Sequence, residues 1–253
     1  MKNSTLLYLL SLLIAVIVVF IIFAIWKYQY TKYNLLRLNP LDESVSVLDE
    51  LRHAKGNDSV IWFIGDSRIA QWNLDYLKQL NKKVINLGVE GQTSKQTLEN
   101  FRKYLDLMHP YCVVIQVGIN DFKVIGLVKS KTNEIVSNCY SNTVEIISLC
   151  RNNNIAVIYM AVIPTGNIEI MRRLIWSTKI DTKLDEFNQQ MKDYCLRSSV
   201  PYFDVVKIFE DIPCKEKEDY QKGFLHLSDK GYKYLSEKFI HFYYSELYSH
   251  KQK

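Results

Sequence analysis

The chain has 253 residues, 48% of them hydrophobic and 23% charged, which is the composition of a folded globular protein and excludes a disordered or fibrous one. Its 32 Lys and Arg against 27 Asp and Glu leave a net charge of +5 with no long single-sign run, so no nucleic-acid partner is expected. Cys112, Cys139, Cys150, Cys195 and Cys214 are scattered without C-x-x-C spacing, which argues against both a zinc site and a disulfide framework.

After a short tail over 1–5, Leu6 to Trp26 reads LLYLLSLLIAVIVVFIIFAIW, twenty-one residues without a charge. At ~1.5 Å per residue such a helix spans roughly 30 Å of hydrocarbon. A cleaved signal peptide is the alternative. The apolar stretch is too long for one, however, and no small-x-small cleavage site follows, so residues 6–26 are read as an uncleaved transmembrane anchor. Trp26, Tyr28 and Tyr30 supply an interfacial aromatic belt. Lys27, Lys32 and Arg37 outnumber Lys2 and lean toward a cytoplasmic C-terminal domain. Residues 27–58 read as a juxtamembrane linker in which Leu41, Val45, Leu48 and Leu51 mark a short amphipathic helix, broken by Gly56-Asn57-Asp58.

From there apolar runs alternate with helical patterns through a domain over 59–248, before a tail at 249–253. Strands are expected at 59–64, 83–87, 112–117, 155–162 and 200–205, and helices near 69–80, 93–108, 132–152, 179–198 and 229–247. Continuous Val/Ile runs describe strands buried on both faces, and 10–20-residue spacers suit crossover helices. The fold class is therefore α/β, a three-layer α/β/α sandwich around a central parallel sheet. In such sheets ligands meet the carboxyl ends of the strands.

Four turns at those ends carry chemistry-bearing residues. Ser67 follows the first strand at a helix entrance, where it is a nucleophile or simply an N-cap. Gly88 and Gly91 follow the second strand, Asn120 the third, and a carboxamide there could donate to an oxyanion. His226 precedes Ser228, an expected N-cap for the last helix, which places the imidazole on a tethered loop. His53, His109, His241 and His250 occupy less suitable positions. Asp66 is expected to bond backbone within its turn; for Arg68 the sequence leaves a carboxylate partner and a substrate contact both open.

FIGDSR with Ser67, GVEGQTS with Gly91, GIND with Asn120 and FLHLSDKGY with His226 resemble the four ordered blocks of the SGNH/GDSL hydrolases, over about residues 59–248. A G-x-S-x-G elbow is missing, since Ile69 stands at its second Gly. The resemblance implies a flavodoxin-like fold and a serine esterase. Ser67 would attack an acyl ester, His226 would carry the proton, and the N–H groups of Ser67 and Gly91 with the Asn120 amide would form the oxyanion hole. The substrate would be an acylated saccharide or a lipid, with no metal and no organic cofactor, and anchored relatives in bacterial envelopes face outward.

One departure stands out. The family's D-x-x-H pattern has Gly223 in place of its Asp. Asp219, ahead of Glu218 and Glu216, is the acid expected to fold back onto His226; a Ser–His dyad oriented by a backbone carbonyl is the other active arrangement. The same acyl-enzyme could pass its acyl group to a sugar hydroxyl, making an O-acyltransferase. Loss of the Asp also allows a non-catalytic binding or scaffold relative. A phosphate-binding turn at 65–68 ranks last, because Asp66 would repel the anion. The rim of the site is expected in 162–182, where Arg172 and Arg173 could meet an acidic saccharide.

Overall fold

Trp62 and Phe63 are consecutive, fully buried, and point to opposite faces of the strand that carries them, which requires a layer of helices on each side. Trp62 meets Phe101 at 6.1 Å and Tyr104 at 6.3 Å, whereas Phe63 meets Trp72 and Phe239, both at 5.3 Å. Burying side chains of this size contributes roughly 1.5–3 kcal/mol each. The computed structural model describes residues 2–39, 51, 59–163, 165–166, 168, 173 and 176–249.

The strands are β1 (Val60–Gly65), β2 (Lys83–Gly88), β3 (Cys112–Gln116), β4 (Ala156–Met160) and β5 (Tyr202–Phe203), all parallel in the order β2-β1-β3-β4-β5. Every residue of the central strands β1 and β3 is buried, while edge strand β2 alternates in exposure, as one open side demands. In register, Phe63 stands between Asn86 and Val114, and Val114 beside Ile158. The chain moves outward from β1 to β2 and then returns to the other side of β1 for β3. A crevice therefore opens above the carboxyl ends of these three strands.

The helices of this unit are α2 (Ser67–Ala70), α3 (Ser94–Leu105), α4 (Ile119–Ile125), α5 (Thr132–Asn152), α6 (Thr178–Arg197), α7 (Val205–Glu210) and α8 (Asp229–Ser249). A two-stranded antiparallel hairpin, β6 (Gln221–Lys222) and β7 (His226–Leu227), precedes α8. The aromatic side chains Phe63, Phe203 and Phe239 join β1, β5 and α8, with Phe203 and Phe239 5.4 Å apart. On the opposite face Phe122 of α4 meets Phe187 of α6 at 5.3 Å.

The N-terminal helix α1 (Lys2–Leu36) forms a separate unit. It is long and apolar enough to cross a membrane, properties that a signal sequence shares. It continues past Trp26 through part of the stretch read from the sequence as linker. The amphipathic helix expected over 41–51 lies outside the described residues, save Leu51, which is helical and buried.

Several boundaries differ from the sequence reading. The expected helix at 69–80 divides into α2 and a 3-10 turn, Leu74–Leu80, because the Asn73 side chain accepts from the Asp75 N–H and starts the turn anew. In the GIND stretch Gly118 is the N-cap and Ile119, Asn120 and Asp121 are already helical, where a turn was expected. β4 is shorter than 155–162, and β5 shrinks to two residues because Asp204 caps α7 by accepting from the Lys207 N–H at 3.2 Å. His226 lies on β7, so the tether is hairpin pairing to Lys222 where a loop held by the Ser228 cap was expected. Cys112, Cys139, Cys150 and Cys195 are buried free thiols.

Candidate active site

Where β1 ends, Asp66 caps α2, its Oδ1 accepting from the Arg68 N–H at 3.0 Å. That cap fixes the turn and presents Ser67, half-buried, as the first helical residue. Its Oγ lies 2.9 Å from His226 Nε2. With the imidazole proton on Nδ1, Nε2 accepts the hydroxyl hydrogen, which is the contact a general base needs to activate a serine.

Arg68 explains how two segments so distant in sequence meet. Its side chain is 1% exposed, and it donates from Nε to the Leu225 carbonyl at 2.8 Å and from Nη1 to the Ile163 carbonyl at 2.6 Å. The Tyr232 hydroxyl in turn donates to the Arg68 carbonyl at 2.8 Å. One buried guanidinium thus ties the Ser67 turn to the residue before His226 and to the chain leaving β4. The sequence left a carboxylate partner and a substrate contact both open: the guanidinium's hydrogen bonds go to backbone, the Asp66 carboxylate supplies its counter-charge, and Arg68 also lines the cleft beside Ser67. Burial raises the Asp66 pKa and lowers that of Arg68, and each charge offsets the other's shift.

The acid expected beside His226 is elsewhere. Asp219 sits in a 3-10 turn, Cys214–Tyr220, that directs its carboxylate outward, where Oδ2 accepts from Lys230 Nζ at 2.9 Å. Ser228, which caps α8 by accepting from the Gly231 N–H at 3.1 Å, donates to the Asp219 backbone carbonyl. Among the described residues no hydrogen bond joins His226 to Asp219, Glu218 or Glu216; its hydrogen bond is to Ser67. Burial lowers the His226 pKa first, and the positive charges of Arg68, Lys123 and Lys222 push the same way against Glu90. The site favours a neutral imidazole, the form that can accept a proton.

Gly91 follows β2 with φ +70°, and a Cβ there would come within 2.6 Å of the Arg37 guanidinium. Asn120, 6% exposed on α4, donates from Nδ2 to the Gln92 carbonyl at 2.9 Å and accepts at Oδ1 from Lys123 Nζ at 3.1 Å. A carbonyl can only accept and an ammonium can only donate, so the two contacts fix which end of the carboxamide is which. Ser67, Gly91, Asn120, Lys123 and His226 line one cleft of about 160 Å³. A larger open depression of about 930 Å³ flanks β5 and contains none of them.

Beneath this cleft Asp121 is 2% exposed and receives the Ser94 N–H on Oδ2 at 2.8 Å and the Ser94 hydroxyl on Oδ1 at 2.6 Å. It thereby fastens the start of α3, just beyond the Gly91 turn, to α4. Burial pushes its pKa up to about 7 against those hydrogen bonds. Sequence reasoning missed the roles of Arg68, Lys123 and Asp121; the i, i+3 spacing of Asn120 and Lys123 is the one local signal that could have found any of them. No group of three or more His, Cys, Asp or Glu side chains suited to a metal ion occurs among the described residues.

Comparison with solved structures finds this fold in proteins of low sequence identity. A GDSL-like lipase from Bacteroides thetaiotaomicron superimposes with a TM-score of 0.57 at 20% identity, over 84% of this chain and 94% of that one. A lipase/acylhydrolase from Enterococcus faecalis gives 0.55 at 20% identity, over 73% and 94%. A catalytic mutant of an acetylxylan esterase from Geobacillus stearothermophilus gives 0.56 at 15% identity, over 74% and 94%. Comparison with curated proteins found no match. The family model of the GDSL-like lipases/acylhydrolases matches residues 58–234, a span that contains Ser67, Gly91, Asn120 and His226, and by that match the chain belongs to the GDSL-like lipase/acylhydrolase family.

Proposed function

We propose that this protein is a membrane-anchored serine esterase that hydrolyses a short acyl ester through a Ser67–His226 dyad. The observation that carries the reading is the 2.9 Å contact between Ser67 Oγ and His226 Nε2, made in the cleft that Gly91 and Asn120 also line. Ser67 Oγ attacks the ester carbonyl as its proton passes to His226 Nε2. The N–H groups of Ser67 and Gly91 and the Asn120 amide receive the oxyanion. Collapse releases the alcohol, which takes the proton from His226 and leaves an acyl-serine. Water attacks that ester with His226 again as base, releasing the acid and restoring Ser67.

The imidazolium formed in each step has no hydrogen-bonded carboxylate among the described residues, so turnover is expected to be slow relative to a full triad, where loss of the acid's function can reach roughly 10⁴-fold. A cleft of about 160 Å³ suits an acetyl-sized group. The acetylxylan esterase among the structural neighbours supports an acetylated saccharide as substrate. Helix α1 is read as the anchor, with the domain outside the cytoplasm; proteolysis of the domain in intact cells checks that side, and protection there reverses it.

The test uses the full chain in detergent with p-nitrophenyl acetate. Ser67→Ala is expected to remove at least about a thousandfold of the turnover, and a fluorophosphonate is expected to label the wild type at Ser67. Undiminished hydrolysis by Ser67→Ala overturns the reading. Gly223 favours a second one, a binding relative without catalysis, and a wild type that neither turns over nor labels establishes it.

A further inference from the structure

We propose that Lys123 is a positioning residue of the oxyanion hole: its ammonium, bonded to Asn120 Oδ1, fixes the carboxamide with Nδ2 toward the reacting carbonyl. The assignment rests on the esterase reading and goes beyond its nucleophile, base and oxyanion donors. Asn120 and Lys123 are separated by one turn of α4, which brings the two side chains together on one face. Both line the same small cleft as Ser67 and His226.

A carboxamide held at one end alone can rotate about its last torsion and present oxygen in place of nitrogen, turning an oxyanion donor into a repelling acceptor. Here Gln92 O takes one Nδ2 hydrogen at 2.9 Å and Lys123 Nζ holds Oδ1 at 3.1 Å, so rotation would oppose carbonyl to carbonyl and ammonium to amide N–H. The bond from a charged donor also draws electron density toward Oδ1 and strengthens the remaining N–H as a donor. In addition, a positive charge stands beside the place where negative charge develops, in a cleft that is partly shielded from water.

The same charge should be felt by the base. His226 is faced by Arg68 from α2, Glu90 from the turn after β2, Lys123 from α4 and Lys222 from β6, and three of the four are cationic. Removing the Lys123 charge therefore raises the pKa of His226.

The experiment compares wild type, Ser67→Ala, Lys123→Met and Lys123→Arg as full chains in detergent, with p-nitrophenyl acetate as probe. Lys123→Met is expected to lose roughly ten- to a hundredfold in kcat with KM within about twofold, because the donor it supports acts on the transition state. Lys123→Arg restores most of the loss. The acid limb of the kcat/KM profile moves to higher pH in Lys123→Met, and the imidazole pKa read by NMR moves with it. Lys123 is only half-buried, so the variant is expected to fold, and unchanged circular dichroism and thermal midpoint verify this. A kcat within twofold of wild type, a loss confined to KM, or an unmoved His226 pKa overturns the assignment and leaves the esterase reading in place. A wild type without Ser67-dependent turnover overturns both.

Discussion

The two halves of the candidate site are built in different ways. Ser67 rises directly from a central strand, with its turn capped by Asp66 and its neighbours on either side buried. His226 arrives on a hairpin whose strands have two residues each, appended outside the main sheet. The first half inherits its rigidity from the core. The second borrows it, through Arg68 to Leu225 O, through Ser228 to Asp219 O, and through the Gly166 N–H to Phe224 O at 2.7 Å. Two side chains can therefore be held in register when one alone belongs to the scaffold, provided that buried polar groups reach across.

The sharpest way to break that arrangement is to remove the crossing group. Arg68→Met leaves Asp66 buried without its counter-charge and frees both carbonyls, a loss of about 3–5 kcal/mol by the usual cost of splitting a buried pair. Urea denaturation reads it. The double variant Asp66→Asn, Arg68→Met is expected to recover part of the stability and little of the turnover, because the histidine hairpin stays unmoored. Equal recovery of both would show that the hairpin needs no such tether.

A smaller effect should come from strengthening the weaker half. A Cβ at Gly223 meets nothing within 4 Å, and φ is +67°, a conformation Asp tolerates better than most residues. Gly223→Asp restores the D-x-x-H pattern. It is expected to raise the His226 pKa, move the acid limb of the pH–rate profile upward, and increase kcat by roughly tenfold, well short of the full effect of a triad acid. A pH profile superimposable on the wild type would mean that the hairpin does not bring position 223 to the imidazole.

The smallest effect separates the halves by pH. The folded-state pKa of Asp121 is raised to about 7 from 3.8, so its contribution to stability is fully present below about pH 4 and is lost as pH rises through 7. The lowered pKa of His226 acts oppositely, with stability present above its ordinary 6.5 and lost as pH falls through the folded value. Thermal midpoints of Asp121→Asn between pH 4 and pH 8 are expected to fall less on the alkaline side than those of the wild type, by a few degrees at most. An identical alkaline decline in the two proteins would remove Asp121 from the account.

The parts legible in the sequence were those encoded by local pattern. β1 and β3 announce themselves as unbroken apolar runs because both faces are covered, and Ser67, Asn120 and His226 follow from motif blocks that the family model also spans. The hairpin was illegible, since two-residue strands are too short to show a period of two. Arg68 was illegible for another reason: its acceptors are carbonyls 95 and 157 residues away, and a backbone oxygen leaves no mark on composition. Asp219 misled because nearness along the chain was taken for nearness in space, whereas a 3-10 turn aims its carboxylate at Lys230.

The hold that α8 has on the Ser67 turn bears on when the candidate site can form. Tyr232 donates to the Arg68 carbonyl, Trp72 Nε1 donates to Ser236 Oγ at 2.8 Å, and Phe239 packs on Phe63. While the ribosome is still making this protein, an N-terminal apolar segment and most of the sheet emerge before any of these partners. The turn that carries Ser67 thus reaches its final setting only when the last helix has been made and packed against it.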